Sequence, residues 1–138
     1  MTTIRQQAEQ FFEACESGKG WDICRQYCHP DATFRAQADV LAGVDTLEAY
    51  TEWMKAMYAP MPDAAYEVLS FAVDEQRNNV SVSGVFRATH SDEGGPVPAT
   101  NKRVEADYTY IMDFDGDRIS AMRKIWNDGH SMQQIGWA

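Results

Sequence analysis

Val104-Glu-Ala-Asp-Tyr108-Thr-Tyr110-Ile-Met112-Asp-Phe114 is an alternating run in which every even-numbered position is apolar. A period of two with one wholly apolar parity is the mark of a strand that buries one face. The run ends at Asp115-Gly116, a dipeptide suited to the positive φ angles of a tight hairpin, and the chain returns through Arg118-Ile-Ser-Ala-Met-Arg-Lys-Ile-Trp126-Asn127-Asp128. The two arms form a long hairpin. Its second arm finishes on an indole, an amide and a carboxylate, with His130 two residues on, so reactive side chains gather where a sheet runs out. That end reads as the mouth of a pocket.

Upstream, the period of two recurs over Tyr66 to Asp74 and Val80 to His90, separated by the polar turn Glu75–Asn79. The stretch Ser91–Asn101 is too rich in Gly and Pro to be ordered by local propensity and is the one long loop. The first 60 residues read differently. Thr3 with Gln6 makes a capping box, and Ile4, Ala8, Phe11, Phe12 and Cys15 follow at helical spacing until Ser17-Gly18-Lys19-Gly20 breaks it. A second, shorter helix places Trp21, Cys24, Tyr27 and Cys28 on adjacent turns, and Pro30 forbids its continuation. Asp31–Val40 is weakly strand-like. Asp45-Thr-Leu-Glu48 opens a third helix whose stripe is Leu47, Tyr50, Trp53, Met54, Met57 and Tyr58, ended by Pro60 and Pro62. Ser131–Ile135 gives one further helical turn. Helices grouped early and strands grouped late predict an α+β fold, a cone of curved antiparallel sheet with three helices packed on one face around an apolar pocket.

The totals agree with one domain over residues 1–138. At 44% hydrophobic, a chain of 138 residues buries a single substantial core. Twelve Lys and Arg against 21 Asp and Glu give a charge of −9, which repels phosphate backbones and anionic lipid, so neither nucleic acid nor a membrane is expected as partner. Three unevenly spaced cysteines argue against a disulfide framework and for a reducing, cytoplasmic setting. No apolar run is long enough to span a bilayer.

Asp128 is the sharpest candidate for chemistry, because a carboxylate at the dry mouth of an aromatic pocket becomes a stronger base. An Asp before Gly is equally an ordinary turn or cap residue. Strand alternation sends Asn127 and Asp128 to opposite sides, so one of the two faces the cavity. Tyr110 and His90 are the candidates to stabilise a developing oxyanion, with core packing as the favoured alternative for Tyr110 and a solvated loop position for His90. Trp53, Trp126, Tyr108, Phe34, Asn127 and His130 are the candidate ligand contacts, with plain core packing as the alternative for the aromatics. Cys24, Cys28 and His29 match no usual zinc spacing, and Asp113-Phe-Asp115-Gly-Asp117 lacks the alternation and distant Glu of a calcium loop, so no metal is expected. The absence of a Gly-rich phosphate loop and of a Gly-x-Ser-x-Gly elbow leaves no cofactor implied.

Taken together, the opening Trp21-Asp22, Pro30-Asp-Ala-Thr-Phe34, Gly43, the Thr89–Val104 stretch and the ending Phe114-Asp-Gly-Asp-Arg-Ile119, Ile125-Trp-Asn-Asp128 and Gln133-Gln-Ile-Gly136 resemble the nuclear transport factor two-like superfamily. Within it they are most similar to the SnoaL-like polyketide cyclases and ketosteroid-isomerase-like proteins. The resemblance spans nearly the whole chain. It implies a cone around an apolar pocket, a homodimer through the sheet, and an acid-base aspartate after a Trp near the end of the last strand, where Asn127 stands here with Asp128 next. Ala36 stands where the ketosteroid isomerases place their base, and Tyr110 near their oxyanion-binding acid. The expectation is a cofactor-independent enzyme that abstracts a proton beside a carbonyl of a small apolar molecule. The alternative is a non-catalytic module holding a hydrophobic ligand on the same fold.

Overall fold

Thr3 caps the first helix in both directions: its hydroxyl accepts from the Gln6 N–H at 3.2 Å while the Gln6 side chain accepts from the Thr3 N–H at 3.0 Å. The structure, a computed structural model, describes residues 3–138. Helix α1, Ile4–Glu16, buries Ala8, Phe11, Phe12 and Cys15, and its last residue, Glu16, is buried with them. At Gly18 the backbone turns left-handed, with φ +73°, and a Cβ there would lie 2.4 Å from the Tyr58 ring. No other residue type fits that turn without moving Tyr58.

The second helix is shorter than its sequence pattern predicts. α2 is the single turn Trp21–Cys24, continued by a 3-10 turn at Arg25–Tyr27, and Cys28 already has extended backbone. Strand β1, Cys28–Ala36, starts earlier than the weak strand pattern implied and contains Pro30. A proline survives there because β1 is an edge strand whose register shifts between Cys28 and Thr33. Helix α3, Leu47–Met57, is capped by the Thr46 hydroxyl, which accepts from the Ala49 N–H at 3.1 Å, and it buries Leu47, Tyr50 and Met54.

Four strands follow, β2 (Ala65–Asp74), β3 (Asn79–Thr89), β4 (Arg103–Asp115) and β5 (Arg118–Trp126). They pair consecutively and antiparallel, as the period of two predicts. β1 adds to the far side of β5 in parallel, so the order is β1-β5-β4-β3-β2 and the five-stranded curved sheet is mixed. All six even-numbered residues of β4 from Val104 to Phe114 are buried. The hairpin turns at Gly116, with φ +64°. The expected last helical turn is a full helix, α4, Asp128–Ile135, and it makes the helices four, not three. Asn127 caps it by accepting from the His130 N–H at 3.1 Å, and Gly136 ends it at φ +82°.

The loop Ser91–Asn101 owes its order to distant partners. His90 N–H donates to the Lys102 carbonyl and Asn101 N–H to the His90 carbonyl, at 3.0 and 2.9 Å, which ties the two loop ends together. Core residues divide into two clusters. The larger runs from α1 through β1 and α3 to the middle of the sheet, and a smaller one, Met61, Ala88, Val104, Ala106 and Ile135, sits under α4. Among the described residues no helix is long and apolar enough to cross a membrane.

Candidate active site

Between the two clusters the inner face of the sheet leaves a cavity of about 590 Å³, within the range of small-molecule sites. Its position follows from the inward parity of the last two strands. β4 delivers Tyr108, Ala106 and Val104 to it in order, and β5 delivers Lys124 and Trp126, which pair across the ladder with Tyr110 and Tyr108. α3 contributes Trp53, Met54 and Met57, and α4 with the residues after it contributes Ser131, Met132, Ile135 and Trp137. The wall is apolar except for a few groups, of which Lys124, Glu16, Asp128 and Asp39 are the charged side chains, on the last strand, the helix ends and the turn Asp39–Leu41.

Lys124 and Glu16 belong to a buried polar chain. Glu16 is 1% exposed, and burying a carboxylate is costly unless hydrogen-bond donors surround it. Tyr108 donates its hydroxyl to Glu16 Oε2 at 2.7 Å, and Tyr110 donates to Oε1. Tyr110 in turn is bonded to the Tyr50 hydroxyl, which accepts from Lys124 Nζ at 3.0 Å. Around Nζ lie five aromatic rings, with the Trp126 centroid at 4.2 Å and those of Tyr50, Trp53, Tyr108 and Tyr110 at 5.3 to 5.9 Å. Burial pushes the Glu16 carboxyl above the usual range, against the pull of the Tyr110 and Tyr108 hydroxyls and the Lys124 charge. Burial pushes the Lys124 ammonium down to about 8, against the raising effect of Glu16, Cys15 and Asp128. The same desolvation holds the Tyr50 and Tyr110 hydroxyls far above their usual range, so both stay protonated donors.

The predicted residues fall into two groups. Trp53, Trp126, Tyr108 and Asp128 line the cavity, the two indoles edge to face at 6.3 Å. Asp128 Oδ2 accepts from the Val40 N–H at 3.0 Å, which fixes the carboxylate at the rim against the 3-10 turn Asp39–Leu41. Trp126 Nε1 donates to Ser131 Oγ at 2.9 Å and so holds α4 over the opening. The others lie elsewhere. Tyr110 is fully buried one layer behind the wall, its hydroxyl engaged with Glu16 and Tyr50, so it is not the oxyanion donor expected of it. Phe34 stacks on Tyr50 with ring centroids 4.2 Å apart and is core. Asn127 is exposed and serves as the α4 cap, and His130 is exposed on the first turn of that helix. His90 is fully buried outside the cavity wall, where Nδ1 accepts from Trp137 Nε1–H at 2.8 Å and from the Thr100 N–H at 3.4 Å. Its role is to clamp the loop against the indole that walls the cavity.

Three members of the buried chain were passed over at the sequence level. Glu16 falls one helical turn after Phe12 on the apolar stripe, Tyr50 reads as core, and Lys124 shares the inward parity of Met122 and Trp126. A charge on an apolar stripe was the available signal. Cys24 and Cys28 are buried and free, and burial raises both thiols, Cys24 to about 12, so they stay protonated and unreactive at neutral pH.

The sequence profile of the SnoaL-like polyketide cyclases matches residues 6–135. The chain belongs to the SnoaL-like polyketide cyclase family. No curated protein matches this SnoaL-like chain in sequence. Among solved structures it is similar to IdmH of Streptomyces antibioticus, named as a candidate polyketide cyclase, with 21% identity and a TM-score of 0.78 over 98% of this chain and 99% of that one. AclR of Streptomyces galilaeus, named as a candidate hydroxylase, superimposes with a TM-score of 0.75 at 18% identity over 98% of this chain and 96% of its own. A cystatin-fold protein of Novosphingobium aromaticivorans follows at 0.64 and 17% identity, over 91% of this chain and 99% of its own. At such identities the likeness is one of fold. A cyclase and a hydroxylase name on one scaffold leave the chemistry to be read from the site.

Proposed function

We propose that this SnoaL-like chain is a cofactor-independent enzyme that abstracts a proton beside a carbonyl of a small apolar molecule, as a cyclase or isomerase does, with Asp128 as the base. The observation that carries the reading is one cavity in which an apolar wall, a rim carboxylate and a buried ammonium meet. The wall excludes water and so strengthens every charge interaction within. Asp128, held by the Val40 N–H, takes the α-proton. Lys124, on the same wall, supplies the positive field for the enolate oxygen that forms.

Exchange of α-protons on planar apolar ketones, followed by NMR in deuterated water, tests it. Asp128→Asn lowers the exchange rate by about two orders of magnitude, the scale of general-base catalysis, with the melting temperature unchanged. Equal exchange in the variant removes Asp128 from the mechanism. The capping role of Asn127, which stands where the family resemblance implied an acid, favours a second reading in which the cavity only holds a hydrophobic ligand. Saturable ligand binding with no exchange in the unaltered protein identifies that case.

A further inference from the structure

Acid-base chemistry at Asp128 does not explain why the cavity carries a primary amine. Field stabilisation of an enolate needs a charge, and an exposed or arginine-borne charge would serve without the cost of drying a lysine. Lys124 is 8% exposed, has the Tyr50 hydroxyl as its hydrogen-bond acceptor among the described residues, and lies at the cavity wall. The bonds beyond Tyr50 all run one way. Nζ donates to Tyr50 and Tyr110 donates to Glu16 Oε1; with Tyr110's one hydrogen so engaged, the bond between the two tyrosines takes its hydrogen from Tyr50. Moving one proton along each bond turns the separated ammonium and carboxylate into a neutral amine and a neutral acid and restores both tyrosines. Burial of both ends lowers the cost of reaching that neutral pair from the charged one.

We propose that Lys124 is a covalent residue, whose amine condenses with the carbonyl of an apolar ketone or aldehyde in the cavity to form a protonated imine. In the step, the Nζ lone pair attacks the carbonyl carbon and a C–N bond forms. The proton given up by the ammonium waits on Glu16 and returns through Tyr110 and Tyr50. With it and one hydrogen from the nitrogen, the carbonyl oxygen leaves as one molecule of water, and the C=N bond, its nitrogen keeping one hydrogen, remains with its positive charge inside the aromatic cage. The protonated imine draws electrons from the adjacent carbon more strongly than a carbonyl does, so Asp128 then removes the α-proton to give an enamine. The inference rests on the proposed function for the carbonyl substrate and adds the covalent bond.

Reductive trapping tests it on the unaltered protein. 2-Naphthaldehyde and cyanoborohydride are added near pH 7, and the digested protein is mapped by mass spectrometry for naphthylmethyl groups. Lys19, Lys55 and Lys102 are exposed and serve as internal references. Burial pushes Lys124 down to about 8, so near pH 7 it holds far more neutral amine than a lysine in water does, and it is labelled at least about tenfold faster than the references. Its labelling rises toward pH 8 and levels off above it. No label on Lys124 at an aldehyde concentration that labels all three references overturns the proposal. If exchange at α-carbons then still depends on Asp128, the acid-base reading stands without the amine. Label on Lys124 with no Asp128-dependent exchange keeps the amine and removes that reading.

Discussion

The two ends of strand β4 obey one alternation and do opposite things with it. At the closed end Tyr110 and Met112 are fully buried in the larger core cluster, and the Tyr110 ring packs edge to face against Phe12 and Tyr50. At the open end the same face offers Ala106 and Val104, and the volume a Tyr would fill becomes cavity. Tyr108 stands at the boundary, ring on the wall and hydroxyl on Glu16. A single parity therefore supplies both core and pocket, and side-chain size decides which. The charged groups sit where filled core gives way to space, since a buried ion pair needs neighbours that donate and a substrate needs room.

The contrast is sharpest for one substitution made at both ends. Met112→Ala removes a packed side chain at 0% exposure and should cost about 2 to 5 kcal/mol by chemical denaturation. Met57→Ala, on the cavity wall and half-buried, should cost less than about 1 kcal/mol, because part of that side chain already faces empty space. Equal losses would mean the open end is packed like the closed one.

The boundary has its own signature in pH. A lysine whose folded value is depressed to about 8 from an ordinary 10.5 binds its proton more tightly unfolded, so its penalty is complete below pH 8 and disappears as pH climbs to the ordinary value. Stability should rise across that window by an amount on the order of 3 kcal/mol, and Lys124→Met should abolish the rise. Urea melts at pH 8 and pH 10 on both proteins measure it, and parallel curves would place the lysine in water. The smallest effect on stability belongs to Ala106→Phe. It fills space instead of displacing atoms, so stability should move by less than about 1 kcal/mol while binding of an apolar fluorescent ligand is lost.

How far the sequence reaches follows from what is local. The β4 alternation, the Asp115-Gly116 turn, the Thr3 cap and the aromatic stripe of α3 each lie within one segment, and each was readable. The direction of β1 was not, because Pro30 and a weak pattern say only that the strand belongs on an edge, while its parallel pairing with β5 depends on a partner about 90 residues away. For Tyr110 and Phe34 core and pocket both stayed open, since parity gives a side and not a distance from the opening. His90 reads as a loop-end candidate to stabilise an oxyanion, and the indole that occupies its Nδ1 comes from the far end of the chain. Glu16 and Lys124 were missed for a single reason. Each is a lone charge on an apolar stripe, and its partner, with the tyrosines between, lies about 110 residues away in the chain.

Gly18 never touches the cavity, yet it governs who can share its chemistry. A side chain at that position would strike the ring of Tyr58, whose hydroxyl donates to the backbone carbonyl of Glu16. Displacing Tyr58 would unseat the end of α1 and the carboxylate with it. Across diverging chains, an acid at position 16 and a glycine at 18 are therefore bound to be inherited together, and a lineage that loses the glycine should be one in which the lysine on the last strand has also been let go.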